Sequence, residues 1–316
     1  MADVYTQTGS GVGLGLVQTA YDRAIGLALR SQPLVRAVAD KRPVKQAMPG
    51  DSVVLQRYVD LADATSALTE TSDVDAVEVA DTTKVTVTLV EQGNATLATR
   101  KLSELALGDV DMGIANLIAY NQASSIDKIA ETALRAGTNE LTIESGTVTY
   151  TGSATGNVTA TDTLNSEAVR TAVTKLRGNS AVPKRGNLFH FLIHPDVAFD
   201  LRTESDAAGW RAPHNYADPA AIYAGEIGAF EGAYFVESPR LFTDTDGATS
   251  TKVYRSYVCG QEALAEAVAV EPHVVLGPVT DKLQRFRPIG WYGLLGFKVY
   301  REEALIRVET ASGVAA

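Results

Sequence analysis

A few short patterns in this chain combine residues that could carry chemistry. His190 and His194 stand four apart, a spacing that puts two imidazoles on one face of a helix or a strand, where they could ligate a metal. Residues 188–193 are apolar and predict a strand. There the two histidines would lie roughly 13 Å apart at about 3.3 Å per residue, too far to share one ion, so both read as structural. Asp244 and Asp246 resemble the opening of a calcium loop, but Gly247 falls two positions early and the terminal Glu is missing, which leaves a solvated turn. Cys259, the single cysteine, sits in SYVCGQ with no neighbouring His to activate it and reads as a small buried hydrophobe. The run GSGVGLG has Leu14 where a dinucleotide loop needs glycine, and no strand precedes it. Neither a phosphate loop of the G-x-x-x-x-G-K type nor a G-x-S-x-G elbow occurs, so no catalytic, cofactor or metal site is expected.

Composition narrows the class. The 316 residues suffice for one large or two ordinary domains, and no stretch approaches the roughly 18 apolar residues of a membrane span. Residues 1–16 lack a basic segment followed by an apolar run, which predicts synthesis in a cytoplasm without an export signal. One cysteine excludes an intramolecular disulfide framework. The 38 acidic against 28 basic residues, net −10, argue against a sequence-reading nucleic-acid binder. The same sign suits a container, because an acidic wall leaves an enclosed nucleic acid free to move.

The elements that would position any site are of mixed type. Residues 1 to about 20 carry Gly9, Gly11, Gly13 and Gly15 with few large apolar side chains and read as an arm. A short amphipathic stretch follows, with Ala24, Leu27, Ala28, Leu34, Val35 and Val38 spaced for one helical face and Pro33 interrupting it. Residues 51–60 and 84–91 predict strands; the second alternates Val85, Val87 and Leu89 with Thr86, Thr88 and Val90. Between them lies an acidic tip with Asp63, Glu70, Asp73, Asp75, Glu78 and Asp81 and no Lys or Arg. Together they make a long hairpin, and a lone two-stranded ribbon needs something beyond itself to lie against.

Residues 103–136 form the longest predicted helix, with Leu107, Val110, Ile114, Leu117, Ile118, Ile129 and Ala133 on or near one face. Gly108 and Gly113 weaken its start and place a kink or a later beginning near Asp109; Gly137 ends it. Short strands occupy 141–161, and a second helix runs over 165–177 with Glu167 in its first turn and Lys175 and Arg177 in its last. Pro195 opens a short helix to Leu201, and 203–219 is a polar loop with Trp210. Strands return at 233–237 and 253–259, joined across the Asp246-Gly247 turn. Residues 261–268 read as helix, and the C-terminus ends in the strand LIRVET. Without regular βαβ alternation the class is α+β.

Six strings occur in a telling order: PGDSVVLQRYVDL, then ALTE at 67–70, then VTVTLVEQG before the long helix with SSID at 124–127, then GEIGAFEGAYFVESP, then GLLGFKVYREEALIRVET. In this order they resemble the tailed-phage major capsid family with the Hong Kong 97 fold, above all its N-four-like branch, over nearly the whole chain. The resemblance implies an N-terminal arm at 1–40 and an extended β-hairpin loop at 41–101. It implies a spine helix and peripheral domain at 102–160, an axial domain at 161–287, and a C-terminal strand region at 288–316 completing the peripheral domain. It further implies a non-enzymatic subunit without cofactor, assembling with itself into hexameric and pentameric capsomers of an icosahedral head around double-stranded DNA. A scaffolding protein, a portal and a decoration protein are expected partners, and the virion capsid, built in the bacterial host cytoplasm, is the expected location.

Candidate subunit contacts pair the acidic tip, Glu70, Asp73, Asp75 and Glu78, with Arg57, Arg100, Lys101, Arg285 and Arg287 of neighbours. The family's lysine-to-asparagine crosslink does not carry over. Lys84 is the only lysine between Lys45 and Lys101 and sits beside a strand, so assembly is expected to be noncovalent. An encapsulin-like nanocompartment shell is the alternative on the same fold, and a cytosolic enzyme with dispersed site residues is the reading from another class.

Overall fold

A computed structural model describes residues 31–43, 52–58, 61, 63–65, 67–68, 70–71, 73, 76–79, 83–105, 110–151, 155–204, 228–278, 281–283 and 285–314. The glycine-rich segment of the arm, Asp75, Asp81 and Trp210 lie outside them. The helices are α1 (Arg100–Leu105), α2 (Val110–Arg135), α3 (Ser166–Gly178) and α4 (Pro195–Thr203). The strands of the N-terminal half are β1 (Asp40–Pro43), β2 (Ser52–Arg57), β3 (Thr83–Thr88), β4 (Val90–Thr99), β5 (Glu140–Glu144) and β6 (Thr147–Tyr150). Those of the C-terminal half are β7 (Phe189–Ile193), β8 (Ala229–Phe230), β9 (Ala233–Glu237), β10 (Thr243–Asp244) and β11 (Val253–Cys259), then β12 (Leu264–Leu276), β13 (Phe286–Val299) and β14 (Leu305–Thr310).

Helix α2 spans about 39 Å at 1.5 Å per residue and is the axis of the fold. Its Ile118 and Ile126 pack with Ile289, Trp291 and Leu295 of a four-stranded sheet ordered β1-β12-β13-β4. One turn further on, Ala130 and Leu134 pack with Val35, Val38, Leu264 and Val299. A larger sheet, ordered β6-β5-β14-β11-β7-β9-β8, carries the other main core, with α3 and α4 against it. Helix α3 forms as its sequence dictates: the Asn165 side chain accepts from the Ala168 N–H at 2.8 Å, and Ala168, Val169, Ala172, Val173 and Leu176 are buried. His194 caps α4 by accepting from Asp196 N–H at 3.2 Å, while His190 stacks beside Tyr234; Cys259 is wholly buried, which pushes its thiol up to about 12.

Several expectations need correction. Of the expected 103–136 helix the structure describes α1 to Leu105 and α2 from Val110, with residues 106–109 outside the described residues. Residues 261–268 do not form a helix; Leu264–Leu276 is a long strand between β1 and β13, where tertiary pairing outweighs the helical propensity of Leu-Ala-Glu-Ala. The turn at Asp246-Gly247 does not pair 233–237 with 253–259. It connects β10 to β11, while β9 runs parallel to β7. Strand β4, unforeseen, pairs with β13 across nearly 200 positions of sequence. Residues 31–40, assigned to the arm, pack on the body through buried Val35 and Val38. The sheets also cut across the expected boundaries at 160 and 288, since β5, β6 and β14 share a sheet with β7 to β11, and β12 shares one with β13.

Polar clusters fix these parts in register. Arg240, just after the ESP string, reaches α2 within SSID: its guanidinium donates to the Ser124 carbonyl at 3.0 Å and hydroxyl at 2.7 Å, to Tyr120 Oη at 3.1 Å and to Asp127 Oδ2 at 3.4 Å. The other Asp127 oxygen accepts from Arg36 N–H at 3.1 Å, and the Arg36 guanidinium pairs with fully buried Glu266 at 2.6 Å. In the larger sheet Glu309, also fully buried, is bound by Arg255 at 3.0 Å, Arg307 at 2.8 Å and the Thr155 hydroxyl at 2.5 Å. Burial alone would raise the Glu309 carboxyl, but Thr155 and the two arginines overcome it and hold it below the usual carboxylate range.

That depressed value sets a sign. The stability Glu309 contributes is complete above the unfolded value of about 4.3 and is lost as pH falls through the folded value. Glu309→Gln is therefore expected to cost about 3 kcal/mol at pH 7 in denaturant unfolding, with the gap to the parent chain closing as the pH drops below about 4.

Candidate assembly surface

The ribbon of β2 and β3 runs from Ser52↔Thr88 at its root to Arg57↔Thr83. The root is fastened to the body. Val87 is buried there, and a Cβ on Gly296 of β13 would collide with the Thr88 carbonyl, so only glycine permits the approach. Tyr300 Oη donates to the Gln56 carbonyl at 3.5 Å, and both terminal nitrogens of Arg57 lie 3.4 Å from the Glu303 carboxylate, which Arg57 holds below its usual range. Beyond Arg57 this cover ends. Tyr58 and Leu68 are each 78% exposed and Val77 72%, among the carboxylates of Glu70, Asp73 and Glu78. A large apolar side chain left in water forfeits about 1.5 to 3 kcal/mol relative to burial.

A second uncovered surface lies on the four-stranded sheet. Alternation sends Ile289, Trp291 and Leu295 toward α2 and leaves Pro288, Gly290 and Tyr292 on the outer face. Register adds Val275 opposite Gly290 on one side, and Ala95 and Leu97 opposite Gly290 and Pro288 on the other. These residues enclose an apolar groove of about 410 Å³ around Val275, Pro288, Gly290 and Tyr292, with Leu97 61% exposed beside it. At Gly290 the groove has no room for a side chain, since a Cβ there would stand 2.7 Å from the Asn94 carbonyl.

The candidate cations divide. Arg100, Lys101, Arg285 and Arg287 come together at one end of this sheet, where Arg287 pairs with Ala98 and the Arg100 N–H donates to the Arg285 carbonyl at 2.8 Å. Arg100 also approaches Glu104 at 3.9 Å, and Arg285 binds Asp281 at 2.6 Å, which lowers the aspartate. Arg57 stands at the opposite end of β13, roughly 40 Å away at about 3.3 Å per residue. Of the acidic partners, Glu70, Asp73 and Glu78 belong to the ribbon's loop, and Asp75 lies outside the described residues. Sequence reasoning named the charges but missed Leu97, Val275 and Tyr292. A signal for the thin outer face was Gly290, between Pro288 and Tyr292 at the two-residue spacing of one strand face.

Comparison with known proteins agrees with this architecture. The phage capsid protein family matches residues 18–312, nearly the whole chain, and the chain belongs to that family. Among solved structures, the capsid of the cyanophage P-SCSP1u is 14% identical with a TM-score of 0.74, covering 98% of this chain and 97% of that one. The head of Helicobacter pylori bacteriophage KHP40 is likewise 14% identical at 0.74, with 98% and 99% covered. A chain of Mycobacterium phage Che8 is 18% identical at 0.66, with 92% and 96% covered. No curated protein matches the sequence. The fold is thus that of the tailed-phage major capsid proteins, and the family is one of structural shell subunits.

If the outer sheet face is an interface, a charge there should stop assembly without unfolding the subunit. Leu97→Asp is expected to leave subunit stability within about 0.5 kcal/mol and to lower particle yield at least tenfold, read by denaturant unfolding beside sedimentation.

Proposed function

We propose that this chain is the major shell subunit of a tailed-phage head, closing as hexamers and pentamers into an icosahedral container for double-stranded DNA. The observation that carries the reading is the pair of surfaces one copy leaves bare: the acidic, apolar ribbon loop and an apolar sheet face rimmed by Arg100, Lys101, Arg285 and Arg287. They are complementary in both polarity and charge, and one ribbon reaching across a neighbour's sheet would cover both. At about 25 cal/mol per Å² of apolar area, an interface larger than the standard of roughly 1,600 Å² would hold a lattice of many weak contacts.

In this reading the α2 body with its four-stranded sheet is the peripheral platform, the larger sheet is the axial unit, and residues before Ser31 reach an adjacent subunit. The net charge of −10 keeps the wall from holding DNA tightly. A scaffolding protein, a portal and a decoration protein complete the proposed partners, and assembly takes place in the host cytoplasm. An encapsulin-like compartment is not favoured, because the family match and the solved neighbours are phage capsids.

Exposed ion pairs are individually worth about 0.2 to 1 kcal/mol, yet a closed shell repeats each one in every subunit. The parent chain is expected to form rings and closed shells by sedimentation and negative-stain imaging. Arg285→Glu with Arg287→Glu should cut their yield at least tenfold, and adding Glu70→Lys with Glu78→Lys should restore it. Unchanged yield in the double variant would rule out this pairing.

A further inference from the structure

The end of α2 is joined to the larger sheet through a layer of charge. Arg307 of β14 donates to the Arg135 and Gly137 carbonyls at 2.6 and 2.9 Å, closing the helix terminus, while Ala130 and Leu134 pack with Tyr257 and Leu305. Between these contacts Glu131, only 4% exposed, accepts from the Tyr257 hydroxyl at 2.7 Å. The cations around it are already engaged. Arg255 is bound to Glu309 and Asp246, Arg307 to Glu309 and Glu140, and the Arg135 guanidinium lies over the Phe242 ring at 4.1 Å. Lys128 is on the exposed side of α2, and Asp127, one turn back, is held by Arg36 and Arg240. Glu131, Glu140, Asp246 and Glu309 thus share Arg135, Arg255 and Arg307, and among these described carboxylates Glu131 is the one without a salt bridge.

A buried carboxylate without a counter-ion is neutralised most readily by a proton. Burial, the largest influence, raises the Glu131 carboxyl above its ordinary value, and the Tyr257 hydrogen bond with the charges of Arg135, Arg255 and Lys128 offsets that only in part. Tyr257 itself stays protonated, because burial and the neighbouring carboxylate push its hydroxyl up.

We infer that Glu131 and Tyr257 form a proton-operated clamp between α2 and the larger sheet, firm when Glu131 is neutral and loosened when its carboxylate is bare. The sign is opposite to that of Glu309, although both carboxylates belong to one layer. A raised folded value means stability that is complete below the unfolded value of about 4.3 and is lost as pH rises through the folded value. A neutral Glu131 keeps the Tyr257 hydrogen bond without burying a charge, whereas a bare one strains the very turn of α2 that the sheet holds. The inference concerns one subunit and does not rest on the shell reading. Within that reading the clamp lies between the peripheral platform and the axial unit.

Nuclear magnetic resonance titration of the full-length chain, isotopically labelled at its glutamate carboxyl carbons, tests it. The Glu131 signal is the one missing from Glu131→Gln and moved in Tyr257→Phe, so either variant identifies it. It is expected to titrate at higher pH than the exposed glutamates, and higher still in Tyr257→Phe, where the hydrogen bond favouring the charged form is gone. A midpoint at or below those of the exposed glutamates would overturn the inference. In denaturant unfolding Glu131→Gln is expected to have a folding constant at least about fivefold above the parent's at about pH 7, with the two equal below about pH 4. Hydrogen exchange reads the grip itself. Corrected for intrinsic rates, amides of residues 130–135 are expected to exchange at least about tenfold faster at about pH 8 than at about pH 5 in the parent, and without that difference in Glu131→Gln. Exchange independent of pH in the parent would also overturn the inference.

Discussion

A two-stranded ribbon cannot cover itself. It has two faces and a loop, and in this chain its paired strands are fastened at both ends, at Gly296 on one side and at Tyr300 and Glu303 on the other. Among the described residues beyond Arg57, Tyr58, Leu61, Leu68, Val77 and Val79 are exposed beside carboxylates. The apolar face of the four-stranded sheet has the converse deficit: a place for side chains, with none of the described residues packed over it. In the function proposed above, one operation, the repetition of the subunit, would resolve both deficits.

Reaching parts are useful only on a body that does not yield. Helix α2 supplies the rigid axis, and its polar contacts specify which elements meet it and at which turn. Asp127 receives one residue from the N-terminal side, Arg36, and one from beyond β9, Arg240, so segments distant in sequence are set by a single carboxylate. The Arg255–Glu309–Arg307 cluster does the same within the larger sheet. Buried ions of this kind add little net stability over apolar packing, but losing one partner is costly, so they select one arrangement. A lattice needs that selectivity, because a shift in one subunit is repeated in every copy.

Local signals were legible where the physics is local. Helix α3 could be read from its Asn165 cap, its apolar stripe and its terminal charges, and β3 from the alternation of valine and threonine. Strand β4 could not: apart from Val90 and Leu97 its residues are polar or small on both faces, and the partner that makes it a strand begins at Phe286. Strand β12 misled because Ala and Glu favour helices in isolation, while here Glu266 is held by Arg36 from the far end of the chain. The cations of the proposed interface were visible as residues. That four of them gather at one sheet end, and that Arg57 does not join them, follows only from the pairing of β4 with β13.

Hydrogen exchange on isolated subunits and on assembled particles tests the central claim most directly. The account predicts that amides of the described ribbon-loop residues, such as Leu68, Glu70 and Asp73, exchange within seconds in the subunit. On assembly the ribbon loop should become protected by at least a hundredfold, while α2 and the Glu309 region are protected in both forms. A monodisperse subunit whose ribbon loop is already protected, with no further change in the particle, would contradict the account.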